Sequence, residues 1–119
     1  MNHQNILIID DDEICCLLMK ERFELLGFTV AYLLNGRKSL QLIRETKPAL
    51  VVLDIHLPEM DGFEIIRELG EDRPYIIAVS SSLTFINSIK RMGANEAYIK
   101  ADFEEIIQAV SQYFSKQSA

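Results

Sequence analysis

The sequence predicts an α/β protein, a parallel five-stranded sheet with helices on both faces and so three layers. Two observations predict this. Short apolar runs rich in Val and Ile recur at residues 6–9, 28–33, 50–53, 75–79 and 97–99, and each is followed by a segment whose apolar residues fall at helical spacing. Runs of this length are too short for lone helices and suit strands, those buried on both faces above all. Strict alternation of strand and helix implies right-handed βαβ units and a parallel sheet covered on both sides.

The elements follow in order. Residues 6–9 form the first strand, which ends in Asp10-Asp11-Asp12-Glu13. A helix over about residues 14–26 carries Cys15, Leu18, Met19, Phe23 and Leu26 as a stripe, with Gly27 as its stop. Arg22 interrupts that stripe, while Ile14, Leu17 and Leu25 widen the apolar surface. Either Arg22 lays its stem along apolar surface or part of this helix faces a partner. The second strand ends before the turn signal Asn35-Gly36, and a helix over residues 37–45 stops at Lys47-Pro48. The third strand ends at Asp54, and a Pro-Glu-Met-Asp-Gly loop leads to a helix over residues 63–69. Asp61 and Glu64 have the spacing of an N-cap and its capping box. A polar turn over residues 70–74 precedes the fourth strand, which ends in Ser80-Ser81-Ser82. A helix over residues 83–92 stops at Gly93, the fifth strand ends at Lys100, and the last helix covers about residues 102–114.

The 119 residues suit one domain, with a core over about residues 5–114 and residues 115–119 as a tail or the start of a linker. At this size folding buries about two-thirds of the extended-chain surface. Hydrophobic content of 49% and charged content of 25% are ordinary globular values. The net charge of −6 disfavours nucleic acid as a direct partner, because phosphates need Lys and Arg. Cys15 and Cys16 are adjacent, about 100° apart on a helix, so a disulfide between them is not expected. That pattern suits a reducing, cytoplasmic setting. The N-terminus lacks the features of a signal peptide, and no apolar run approaches a membrane span.

Four strands end in groups suited to one chemistry: Asp10 and Asp11, Asp54, Ser80 and Lys100. In a parallel sheet all of them reach the carboxyl edge, where open α/β sheets bind ligands. Clustered carboxylates raise one another's pKa, and a hard divalent cation such as Mg²⁺ relieves that conflict. Lys100 adds positive charge and Ser80 a hydroxyl donor. Such a set suits phosphoryl transfer, in which catalysis is mainly positioning and charge neutralisation. An aspartate can then be the nucleophile and form an acyl phosphate. Each residue alone has a plainer reading. Asp10 to Glu13 suit an acidic first helical turn, Ser80 to Ser82 a helix N-cap, Lys100 the surface, and His56 a loop. His56 and His3, the latter in a predicted tail, make no metal cluster.

These residues also carry a resemblance. The paired acids after Ile-Leu-Ile-Ile, the run Asp54-x-x-Leu-Pro-x-Met-Asp-Gly, the strand ending at Ser80 and the segment from Gly93-Ala94 to Lys100 occur in one order. Asp54 follows Asp11 by 43 residues. In all this the chain resembles the response-regulator receiver domains of two-component signalling, the CheY-like superfamily. The resemblance implies a flavodoxin-like (βα)5 fold with strand order 2-1-3-4-5. It implies that Asp54 accepts a phosphoryl group from a histidine of a sensor histidine kinase or histidine phosphotransfer protein. Asp11 would ligate Mg²⁺ directly, Asp10 through water, Asp54 itself and the backbone carbonyl of His56 beside them. Ser80 and Lys100 would contact the phosphoryl group. Activity would be limited to self-phosphotransfer and autodephosphorylation, making the chain a phosphorylation-controlled switch, monomeric or weakly dimeric. A downstream effector or a fused output domain would read it.

Three departures stand out. Ala101 replaces the proline that usually follows the lysine, so a trans Lys100-Ala101 bond and a shifted Lys100 are expected. Ala97 lies where the aromatic switch residue normally sits, with Tyr98 one position later and on the opposite face. Ser80 and Lys100 are 20 residues apart, slightly short, so the intervening helix is expected to be trimmed or tilted. These departures keep open a degenerate receiver, a phosphorylation-independent interaction module. Asp10-x-Asp12 faintly resembles the haloacid-dehalogenase phosphatase motif, without its usual threonine.

Overall fold

Side chains of a strand point alternately to opposite faces, and in the interior strands here both sets are apolar, so the sheet needs a cover on each side. The computed structural model describes residues 5–117 and has that arrangement. In chain order the elements are β1 (Asn5–Ile9), α1 (Glu13–Leu25), β2 (Thr29–Leu33), α2 (Ser39–Thr46), β3 (Leu50–Asp54), α3 (Gly62–Leu69), β4 (Tyr75–Ser80), α4 (Ile86–Met92), β5 (Glu96–Ile99) and α5 (Phe103–Gln117). All pairings are parallel, in the order β2-β1-β3-β4-β5. His3 lies outside the described residues.

β3 is buried along its whole length, while the edge strands β2 and β5 are only partly so. One core joins alternate residues such as Ile8, Val52 and Val79 to α1 and α5 through Cys16, Phe23, Ile106 and Val110. The other joins Ile9, Leu53 and Ala78 to α2, α3 and α4 through Ile43, Ile65 and Ile89. Register sets Asp54 opposite Val79 and Ser80 opposite Ile99. The polar strand ends therefore meet at one edge.

α1 departs from the expected stripe. Its buried residues are Cys16, Met19 and Phe23. Leu18 and Leu26 face solvent, and so do Ile14, at 71% exposure, Leu17, and Leu25, at 78%. Periodicity cannot rank two apolar faces of one helix, and the packed face is the one that meets β1 and α5. Arg22 is explained by α5: its guanidinium binds Glu104 through two nitrogens, at 2.6 and 2.9 Å, and lies 5.7 Å from the centre of the Phe103 ring.

Other boundaries move too. Leu83–Phe85 form a 3-10 turn, so α4 proper begins only at Ile86, trimmed as the short spacing suggested. α5 runs on through Ser115 and Lys116 to Gln117, where a tail was expected after Phe114. Among the described residues no peptide bond is cis, so Lys100-Ala101 is trans. Asp61 caps α3 by accepting the Glu64 N–H at 3.0 Å.

Gly36 is more than a turn residue. A Cβ there would sit 1.9 Å from the backbone carbonyl oxygen of Met60. The loop after β2 is thus pressed against the loop after β3, and only a glycine allows the approach. Gly36→Ala is expected to cost at least about 1–3 kcal/mol, the usual penalty of overpacking, because the obstacle is backbone. A fall in the urea midpoint with an unchanged m-value is the measurement that checks this.

Candidate functional site

The carboxyl edge of β1, β3, β4 and β5 collects the predicted residues. Asp10 follows β1 and is pinned by backbone: its N–H donates to the Leu33 carbonyl at 3.0 Å. Its carbonyl accepts the Cys16 thiol at 3.3 Å. Asp12 caps α1, accepting the Cys15 N–H at 3.2 Å. The acidic run therefore divides its labour. Asp12 serves the helix, Asp10 is fully buried in the site, and Asp11 is exposed beside it. Asp12 is thus a cap and no second acid of a phosphatase pair.

Lys100 ties the edge together. Its Nζ donates to Asp10 Oδ1 at 2.9 Å and to Asp54 Oδ2 at 3.2 Å. The opposite oxygen of Asp54, Oδ1, accepts the His56 N–H at 3.1 Å. The Lys100 N–H donates to the Ser80 carbonyl at 2.8 Å, fixing where the lysine leaves β5. Ala101 thus does not keep Lys100 from either carboxylate. Ser80 is fully buried, and its Oγ accepts the Ser82 N–H at 3.1 Å. The capping role falls to Ser82, whose Oγ accepts the Thr84 N–H.

Gly62 matters to this geometry. A Cβ there would come within 3.0 Å of the Asp54 carbonyl oxygen and the Ile55 Cα, so the start of α3 packs directly on the end of β3. The Gly62 N–H donates to the Ile55 carbonyl at 2.9 Å, which closes the loop carrying His56.

Electrostatics are set by burial. Asp54 is 3% exposed, and burial pushes its carboxyl up to about 6; the Asp10 charge adds to this, while Lys100 and the His56 N–H pull the other way. Burial opposes the charge on Lys100, yet its bonds to Asp10 and Asp54 outweigh that and raise its pKa. Three carboxylates facing one ammonium leave an excess of negative charge. Asp10, Asp11 and Asp54 each offer an oxygen within 4.8 Å of the others. Asp10 Oδ2 is buried and lies in an ion pair, 2.9 Å from Lys100 Nζ. The clustered hard carboxylate donors, two buried and one exposed, fit a small divalent cation such as Mg²⁺.

Sequence reasoning did not place Cys15, Cys16 or Phe85 beside the site. The Cys15 thiol is pushed up to about 11 and that of Cys16 to about 12, by burial first and then by Asp10, so both stay protonated. The His56 ring meets the Phe85 ring edge-on, centroids 5.2 Å apart. Residues so far apart in the chain leave no periodic signal. Ala97 and Tyr98 face opposite sides as expected, Ala97 toward the core under α4 and Tyr98 toward the core under α5.

Comparison with known proteins bears on the fold and the family. Residues 6–111 match the family model of the response regulator receiver domain. The chain is 32% identical to Sporulation initiation phosphotransferase F of Bacillus subtilis, over 99% of each chain. It superposes on the Francisella response regulator 1452 receiver domain with a TM-score of 0.86 at 22% identity, covering 96% of this chain and 98% of that one. The response regulator TrrA of Thermotoga maritima, solved in complex with Mg(2+)-BeF, gives 0.83 at 25% identity, over 92% and 97%.

The raised Asp54 carboxyl has a consequence for stability. Folded, Asp54 holds its proton up to about pH 6; unfolded, it does so only up to its ordinary value of 3.8. Between these values the folded state binds more protons, so this contribution favours folding below the window and is lost as pH rises through it. Without divalent cation, Asp54→Asn is expected to stabilise the protein at pH 7 by about 1–3 kcal/mol and to flatten the fall between pH 4 and 6. Urea titrations of both proteins across that range read the difference directly.

Proposed function

Because the chain belongs to the response-regulator receiver family, we propose that it is a Mg²⁺-dependent phosphorylation switch with Asp54 as acceptor. The carrying observation is the Lys100 ammonium bridging Asp10 and Asp54 at a buried sheet edge. An Asp54 carboxylate oxygen attacks the phosphorus of a phosphohistidine; the P–N bond breaks, its electrons and then a proton return to the imidazole, and a C–O–P acyl phosphate forms. Lys100 and the Ser80 hydroxyl neutralise and bind the transferred oxygens, a task of positioning and charge rather than of covalent chemistry. Asp10, Asp11, Asp54 and the His56 carbonyl would hold the cation, whose chemistry here is to screen the carboxylates from one another and from the incoming phosphoryl group. Water later hydrolyses the acyl phosphate in the same site. The chain is in this reading a signalling component of the cytoplasm rather than an enzyme acting on small molecules. A phosphorylation-independent module is the weaker alternative, since Lys100 reaches both carboxylates although Ala101 follows it.

The partner is a sensor histidine kinase or a histidine phosphotransfer protein. Its docking face is the outer strip of α1, where Ile14, Leu17, Leu18 and Leu25 border a shallow groove. The strip is continuous with the site, because α1 begins directly after Asp10 to Asp12. An apolar helix face lying against it would bring the donor histidine to Asp54. An effector or an output domain would then read the surface of α4, β5 and α5.

Two experiments follow. Incubation with acetyl phosphate and Mg²⁺ is expected to add one phosphoryl group to the intact mass, and the gain should vanish in Asp54→Asn or on chelation; labelling that survives Asp54→Asn defeats the reading. Leu17→Ser with Leu18→Ser is expected to slow transfer from a phosphorylated histidine protein about tenfold or more, as for loss of apolar anchors at an interface. Labelling by acetyl phosphate should be unchanged in the same double variant.

A further inference from the structure

The two loops flanking Asp54 converge on one aromatic contact. His56 stands two residues after Asp54 and bonds it through its N–H. Phe85 stands five residues after Ser80, in the 3-10 turn that opens toward α4. Their rings meet edge-on at 5.2 Å, and Phe63 of α3 also meets Phe85 edge-on, at 5.9 Å and 83°. A series of hydrogen bonds leads from the site to Thr84, the residue before Phe85. Ser80 Oγ accepts the Ser82 N–H at 3.1 Å, Ser82 Oγ accepts the Thr84 N–H at 3.1 Å, and Ser82 Oγ donates to Thr84 Oγ1 at 2.9 Å. A movement of the Ser80 hydroxyl toward Asp54 would act through these bonds on the turn that carries Phe85.

The other route out of the site is closed in this chain. Ala97 has no ring to move. Tyr98 is held by Glu96, whose two carboxylate oxygens accept the hydroxyls of Tyr98 and Tyr75, each at 2.5 Å. Tyr75 in turn stacks on Tyr113 of α5 at 4.1 Å. These contacts lock the β5 aromatic onto the α5 face.

We propose that Phe85, in contact with both His56 and Phe63, is the relay through which the state of Asp54 reaches α4. The relay rests on Asp54 being the phosphoacceptor. It moves no bond; it couples two loops to the first turn before α4 by ring packing, and Phe85, a residue 38% exposed, has room to shift.

The chain has no tryptophan, so Phe85→Trp places a single indole reporter at the contact. With acetyl phosphate and Mg²⁺, its emission should shift in step with the gain in intact mass, and Asp54→Asn in the same background should abolish both changes. Tyr98→Phe should leave the shift in place. A full mass gain with unchanged emission overturns the relay and leaves the acceptor reading standing. No mass gain overturns both. Phe85→Leu tests the relay without the bulk of an indole. It should still be labelled, while the phosphorylation-induced amide shifts of Ile89 and Met92 shrink by at least about half. Amide shifts of wild-type size in the labelled Phe85→Leu protein overturn the relay.

Discussion

Everything at the functional edge depends on one ammonium group. Lys100 Nζ lies within hydrogen-bond reach of both Asp10 and Asp54, and without it two buried carboxylates and an exposed third would crowd one another. Such crowding is costly in a low dielectric, and a single lysine only partly offsets it. The remaining excess of acid is what makes the site receptive to a cation and to chemistry that consumes negative repulsion. The sheet supplies the placement. Parallel register brings four strand ends to one rim, and Gly62 lets α3 pack close enough to hold the Asp54 loop still.

α1 shows how one helix serves two masters. Cys16, Met19 and Phe23 build the core beneath it, Asp12 caps its start, and Arg22 fastens it to α5 through Glu104. Its other face stays open, with Ile14, Leu17, Leu18 and Leu25 exposed beside Lys20, Glu21 and Glu24. In a helix with a single purpose that face would be polar.

The sequence announces the alternation of elements, because apolar runs of three to six residues, each followed by a helical segment, fit no other pattern. It announces the acids, Asp54, Ser80 and Lys100, because strand ends can be found by where apolar runs stop. The family resemblance and the structure agree on the strand order, which the pattern of apolar runs alone does not contain. Other features rest on contacts distant in the chain and were out of reach. The inward face of α1 depends on what α5 offers, the glycine at position 36 on the Met60 carbonyl, and the Phe85 contact on two loops folding toward each other. The extent of α5 was underestimated because Ser115, Lys116 and Gln117 are polar, yet a polar last turn extends a packed helix at little cost.

The open face of α1 also governs how copies of this chain treat one another. Five large apolar side chains lie exposed within the thirteen residues from Ile14 to Leu26, a strip that would favour clumping in a neutral molecule. A net charge of −6 opposes that clumping, because like-charged copies repel one another. Colloidal stability is therefore electrostatic in origin. It weakens as salt screens the repulsion and fails first near the isoelectric point of about 4.8, where the charge vanishes and only the strip remains.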